Sequence, residues 1–109
     1  STLAPELWAT IAMQYSGKDR FYLEALGIGA QGNEDAFFEA WMNLVNDDWN
    51  TPAGRDIIWR SRSKFTPAKL VLFIKDPSID ESEKTRYRRA LDFLEGPEKD
   101  AALLQLLGE

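Results

Sequence analysis

The side chains with the clearest chemical potential lie in a basic segment near the middle of the chain. Residues 55–75 hold six basic groups and one acidic group, whereas residues 1–54 hold two basic and eight acidic groups. Arginine binds carboxylate and phosphate groups through paired hydrogen bonds and stacks on aromatic rings. The candidate partner surface therefore comprises Arg55, Trp59, Arg60, Arg62, Lys64 and Trp49. The alternative is that these charges pair with acidic neighbours in the fold.

Asp47 and Asp48 suggest two further kinds of chemistry. Residues 46–50 gather oxygen ligands, but they lack the spacing of a calcium-binding loop. The same acids beside Arg55 and Trp59 could handle a nucleobase, as in some helical-repeat glycosylases. Adjacent acids tend to point apart, so a capped and ion-paired turn is the stronger interpretation in both cases.

The composition excludes several function classes. The chain of 109 residues has no Cys and no His, which removes thiol nucleophiles, disulfides, imidazole bases, zinc-finger spacings and covalent c-type haem attachment. The net charge of −5 opposes binding to nucleic acid. No apolar run approaches the roughly 20 residues that span a bilayer, so no membrane insertion is expected. The sequence predicts no enzymatic activity, no cofactor and no metal site.

Apolar residues recur at helical spacing, and the sequence predicts an all-α chain of seven helices without strands. Thr-Pro-Ala occurs at residues 51–53 and 66–68, where Thr51 and Thr66 would cap helices with proline in the first turn. Ser78 and Glu81 have capping-box spacing. The predicted helices span residues 5–15, 19–30, 34–46, 52–62, 67–75, 80–94 and 97–107.

Two apolar patterns repeat along these helices. The odd-numbered helices share an apolar pair four residues apart, at Leu7/Ile11, Phe37/Trp41, Leu70/Ile74 and Leu103/Leu107. The even-numbered helices share a quartet that begins at Tyr22, Gly54 and Tyr87. Both patterns recur at about 30 to 33 residues, as expected for stacked two-helix units. We expect a HEAT-like α-α superhelix of three hairpins plus one helix, with an irregular bundle as the alternative.

Particular stretches resemble known repeat proteins. Residues 19–29 read DRFYLEALGIG, which resembles the second helix of a HEAT-type unit. Residues 13–32, 47–63 and 89–108 are similar to the helical-repeat region of large exported proteins of planctomycetes and related bacteria, which carry a PVC-type haem-binding domain and are also described as membrane-bound dehydrogenases. The resemblance implies a periplasmic or exported location, with dehydrogenase-like and cytochrome portions elsewhere in a longer chain. Without Cys-x-x-Cys-His, no haem residue is carried over.

The function expected from these observations is that of a scaffold. Residues 1–109 would form a single HEAT-like domain, a fragment of a larger protein, that binds protein or spaces neighbouring domains of the same chain. The alternatives are a structural part of an exported haem-containing oxidoreductase and a helical enzyme that acts on nucleic acid. An exposed end of the stack would favour a homodimer through an end helix, with residues 97–107 as one candidate.

Overall fold

The computed structural model describes residues 3–108, and within that range the chain forms seven α-helices and no strand. The predicted all-α class is therefore confirmed, and each helix begins and ends within two residues of its predicted bounds. The helices are α1 (Leu3–Met13), α2 (Arg20–Gly29), α3 (Glu34–Val45), α4 (Pro52–Arg60), α5 (Thr66–Lys75), α6 (Glu81–Phe93) and α7 (Pro97–Leu107).

Local side-chain hydrogen bonds fix the starts of α2 and α4. The Thr51 hydroxyl accepts a hydrogen bond from the Gly54 backbone N–H at 3.0 Å, and Pro52 is the first helical residue. The Asp19 carboxylate accepts one from the Tyr22 N–H at 3.1 Å. Each cap satisfies a backbone donor that has no partner within its helix. The predicted Thr51 cap is confirmed.

Two other predicted helix caps are wrong. Helix α5 already includes Thr66, and the residue before the helix is Phe65, so buried Thr66 is its first residue rather than its cap. The Ser78 hydroxyl donates to a carboxylate oxygen of Asp76 at 2.7 Å instead of capping α6, which begins at Glu81. Asp76, two residues before Ser78, accepts the hydrogen bond of the serine hydroxyl in a local turn. Short polar side chains readily form such turns, which compete with helix capping.

Contacts between backbone segments group the chain into two compact units, Ser1–Ser63 and Lys64–Glu109. The first unit contains α1 to α4. In it α1 packs against α3, α2 packs against α4, and α1 also contacts α2. Ala9 and Ala12 are buried on α1 and let its backbone approach α3 closely. The Trp8 ring lies 5.7 Å from that of Phe37, and the Trp8 indole N–H donates to the Leu26 carbonyl at 3.0 Å.

The second unit contains α5, α6 and α7. Helix α5 packs against both α6 and α7, and it carries the apolar side chains that both neighbours need. Phe73 on α5 lies 5.0 Å from Tyr87 on α6, ring centre to ring centre. The Tyr87 hydroxyl donates to Glu83 at 3.1 Å, and Arg86 pairs with the same carboxylate at 2.7 Å. Tyr87 is thereby buried with its polar end satisfied, as buried tyrosines require.

Candidate functional site

An open groove of about 630 Å³ runs between α1 and α3 in the first unit. Its volume falls in the range of about 300–1,000 Å³ that is typical of ligand and side-chain pockets. Both walls are helical, so the groove is held by the same packing that forms the unit. It is lined by Pro5, Glu6, Ala9 and Thr10 of α1 and by Ala36, Glu39, Ala40, Asn43 and Leu44 of α3.

Small residues at helical spacing produce the floor of this groove. Ala36, Ala40 and Leu44 follow one another at intervals of four residues, so they lie along one face of α3. Ala9 faces them from α1. Because alanine side chains are short, the floor stays open and apolar where larger residues would fill it. Leu44 is exposed at one end and gives the floor its largest apolar side chain.

The rim of the groove is acidic. Glu6 lies on the α1 side and Glu39 on the α3 side, and no basic residue lines the groove. Among residues 3–108, neither carboxylate has an ion-pair partner. Asn43 and Thr10 add neutral hydrogen-bonding groups. The groove thus combines an apolar floor with negative charge that no other described side chain neutralises.

A second cavity of about 280 Å³ lies among α1, α3 and α4. Asp48 is the one carboxylate on its lining, which does not include Asp47, Arg55 or Trp59. This cavity therefore does not gather the predicted nucleobase-handling residues, apart from Asp48. In residues 3–108 there is also no group of three or more His, Cys, Asp or Glu side chains placed to hold a metal ion.

Arg60, from the predicted partner surface, forms part of the contact between α4 and α2. Its Nε lies 3.3 Å from a carboxylate oxygen of Glu24, and its side chain is only 15% exposed. Its guanidinium lies directly over Gly27, where a Cβ atom would collide with it. The ion pair and the close approach join two helices, so Arg60 is held within the fold.

Three other members of the predicted partner surface are half-buried: Trp49, Arg55 and Trp59. The Arg55 guanidinium donates to the side-chain oxygen of Asn50 at 3.1 Å, which ties the start of α4 to the preceding turn. Trp49 and Trp59 each take part in interactions within the chain. These three side chains are therefore partly covered by the fold and partly accessible.

Arg62 and Lys64 are the exposed members of the predicted surface. The Arg62 guanidinium donates to the Arg60 carbonyl at 2.9 Å. Partial burial lowers the pKa of Arg62, and the neighbouring Arg60 charge lowers it further. The Lys64 ammonium lies 5.4 Å from the centre of the Phe65 ring, a cation–π contact. The structure places Arg60 and Arg62 together near Glu24, whereas Lys64 begins the second unit.

The groove was not predicted from the sequence. The feature of the sequence that corresponds to the groove is the spacing of the alanines on α3. Alanines at helical spacing also occur in ordinary helix packing, so this spacing alone does not indicate a groove. Over residues 3–108, no helix is both long enough and apolar enough to span a membrane. Comparison with protein-family models, curated proteins and solved structures finds no match to this chain.

Proposed function

We propose that the chain is a non-catalytic helical-repeat module that binds protein through the groove between α1 and α3. The groove carries the proposal because it lies within one unit and combines an apolar floor with a charged rim. Helical grooves of this kind receive the apolar face of an amphipathic helix or peptide.

The chemistry of the rim defines the partner. An apolar side chain of the partner would enter between Ala36, Ala40 and Leu44, and basic side chains beside it would reach Glu6 and Glu39. Opposite charges at a rim raise the association rate and select the partner more than they add affinity. The expected partner is a cationic amphipathic segment of another protein or of a neighbouring domain.

Packing within the first unit supports the HEAT-like part of this proposal. Helix α1 packs on α3, so two odd-numbered helices lie side by side. Helix α2 packs on α4, so two even-numbered helices do the same. Stacked two-helix units pack in this way, and the apolar patterns recur at the matching interval. In a longer protein of the kind that the resemblance implies, such a module would also space neighbouring domains.

A charge-reversal experiment tests the groove. The probe is a labelled helical peptide of leucine and lysine, with a scrambled peptide of the same composition to measure attraction by charge alone. Glu6→Lys with Glu39→Lys should weaken helical-peptide binding about tenfold or more in fluorescence anisotropy, because two attractions become repulsions.

The matched control is Asp92→Lys with Glu98→Lys, two exposed acids of the second unit. Glu98 lies in the first turn of α7 as Glu6 lies in the first turn of α1, so both variants perturb a helix start alike. The control should bind like the unmodified chain. Equal loss in both variants, or equal binding of the scrambled peptide, would show that net charge alone attracts the peptide and would reject the groove.

A further inference from the structure

The cavity of about 280 Å³ among α1, α3 and α4 is distinct from the groove proposed to bind protein. The two share only Leu44 on their linings. Every lining residue of the cavity belongs to the first unit, so its shape depends on the packing of that unit alone. Its volume is just below the range of about 300–1,000 Å³ that is typical of sites for drug-sized ligands. The cavity therefore suits a smaller molecule.

The turn after α3 places a carboxylate on the cavity. The Asp48 backbone N–H donates to the Val45 carbonyl at 3.0 Å, which closes the turn, and both residues line the cavity. Asn46 lies in this turn with a φ of 57°, in the left-handed region that asparagine tolerates better than most residues. Among residues 3–108, the Asp48 carboxylate has no ion-pair or hydrogen-bond partner. A cationic group in the cavity would supply one.

The rest of the lining decides which kind of cation fits. The Thr51 hydroxyl already accepts from the Gly54 N–H at 3.0 Å. The Tyr15 hydroxyl donates to a carboxylate oxygen of Asp56 at 2.8 Å. A primary ammonium carries three N–H donors, for which Asp48 is the one charged acceptor on the lining. A quaternary ammonium has no N–H donor, and its methyl groups pack well against apolar walls. Such walls are provided by Ala12, Met13, Leu44, Val45, Ala53 and Ile57.

Trp41 supplies a second polar feature of the cavity. Its side chain lines the cavity and is only 1% exposed. The indole N–H of Trp8 donates to the Leu26 carbonyl at 3.0 Å, whereas the indole N–H of Trp41 has no acceptor among residues 3–108. Buried indoles usually have an acceptor, because a buried donor without a partner is unfavourable. An oxygen acceptor on a ligand in the cavity would satisfy this donor.

We propose that this cavity binds a small quaternary ammonium compound that also carries an oxygen acceptor. The Asp48 carboxylate attracts the positive charge, and the apolar walls surround the methyl groups on nitrogen. The Trp41 indole N–H donates to the oxygen of the ligand. Recognition of this compound is separate from protein binding in the groove.

Titration of choline into isotope-labelled chain, followed by NMR, tests the site. Choline should shift the Trp41 indole signal and the Asp48 backbone amide signal saturably, with a dissociation constant on the order of 1 mM for so small a ligand. Its neutral analogue, with a tert-butyl group in place of trimethylammonium, should bind about threefold to fivefold more weakly. Ethanolamine should also bind more weakly, because its primary ammonium finds too few acceptors. Choline that causes no saturable shift, or that binds no tighter than either analogue, overturns the proposal.

Two neighbouring acids form a matched pair that tests the charge. Asp48→Asn should raise the dissociation constant of choline about threefold to fivefold. Asp47→Asn is the control, because it removes the same charge from an exposed residue that is not on the lining, and it should leave the dissociation constant unchanged. Equal dissociation constants in the two variants, whether both rise or neither does, overturn the role of Asp48.

Trp41→Phe tests the hydrogen bond to the ligand oxygen. The variant keeps an aromatic ring and removes the donor. The preference for choline over tetramethylammonium, which has no oxygen, should therefore fall about threefold or more. Because this preference is a ratio within one variant, a looser cavity that weakens both ligands alike does not change it. An unchanged preference overturns the hydrogen bond from Trp41.

Discussion

Replacing Arg60 tests whether the basic segment is a free surface or part of the fold. Its Nε lies 3.3 Å from Glu24, and its guanidinium covers Gly27. Arg60→Ala removes the ion pair, two methylene groups and the cover over Gly27. Arg60→Met keeps an apolar stem and removes the charge, so the two variants separate packing from electrostatics.

The magnitude follows from the exposure of the two partners. Glu24 is 44% exposed, so the ion pair is screened and contributes about 0.2–1 kcal/mol. Two methylene groups on a side chain that is 15% exposed contribute about 1.5 kcal/mol when buried. Arg60→Ala should therefore lower the free energy of unfolding by about 2 kcal/mol, and Arg60→Met by less than about 1 kcal/mol.

Urea denaturation measures both changes, with a constant m-value showing that the unfolded states are comparable. Arg62→Ala is the matched control, because Arg62 is exposed and should change stability by less than about 0.5 kcal/mol. A double-mutant cycle with Glu24→Gln should give a coupling energy of about 0.2–1 kcal/mol. If Arg60→Ala is as stable as Arg62→Ala, the contact between α2 and α4 does not hold Arg60, and the reasoning is refuted.

Three further predictions concern individual positions. Gly54→Ala should destabilise by about 1–3 kcal/mol or more in urea, because its Cβ would overlap the Trp49 carbonyl oxygen; native-like stability would contradict that close approach. Gly29→Ala should be neutral or stabilising by up to about 1 kcal/mol, since its Cβ meets only the Trp8 ring at 3.9 Å; a clear loss of stability would contradict this. Partial burial lowers the pKa of Lys69, so between that pKa and 10.5 the unfolded chain binds more protons and stability rises with pH. The unfolding free energy of the unmodified chain relative to Lys69→Gln should therefore increase from about pH 8 to 11, and a flat or falling difference would count against the burial.

Helix bounds could be predicted because their causes are local. Helix α7 begins at Pro97 and ends at Leu107, as the proline and the apolar period indicated. Thr66 shows where local rules stop, because its Thr-Pro-Ala sequence matches that of Thr51 but its side chain is buried and α5 already includes it. Whether a threonine hydroxyl caps a helix depends on the residues that pack around it, and tertiary packing decides which residues those are.

The candidate sites depend on residues that are far apart in sequence. Glu24 lies 36 residues from Arg60, so the basic segment gave no sign that one of its arginines bridges two helices. The groove requires Ala9 to face Ala40, and only the packing of α1 on α3 brings them together. Similarly, the repeated apolar pair treats Leu7 and Phe37 as equivalent, but among residues 3–108 Phe37 is buried against α1 and Leu7 is exposed.

The most direct test of the protein-binding proposal is to map the bound peptide by NMR. Titration of the leucine–lysine helical peptide into isotope-labelled chain should shift the backbone amide signals of Ala9, Ala36, Ala40 and Asn43, which line the groove. Signals of Arg62 and Lys64 should stay in place. Shifts confined to Arg62 and Lys64, or spread evenly over every exposed acidic residue, would contradict binding in the α1–α3 groove.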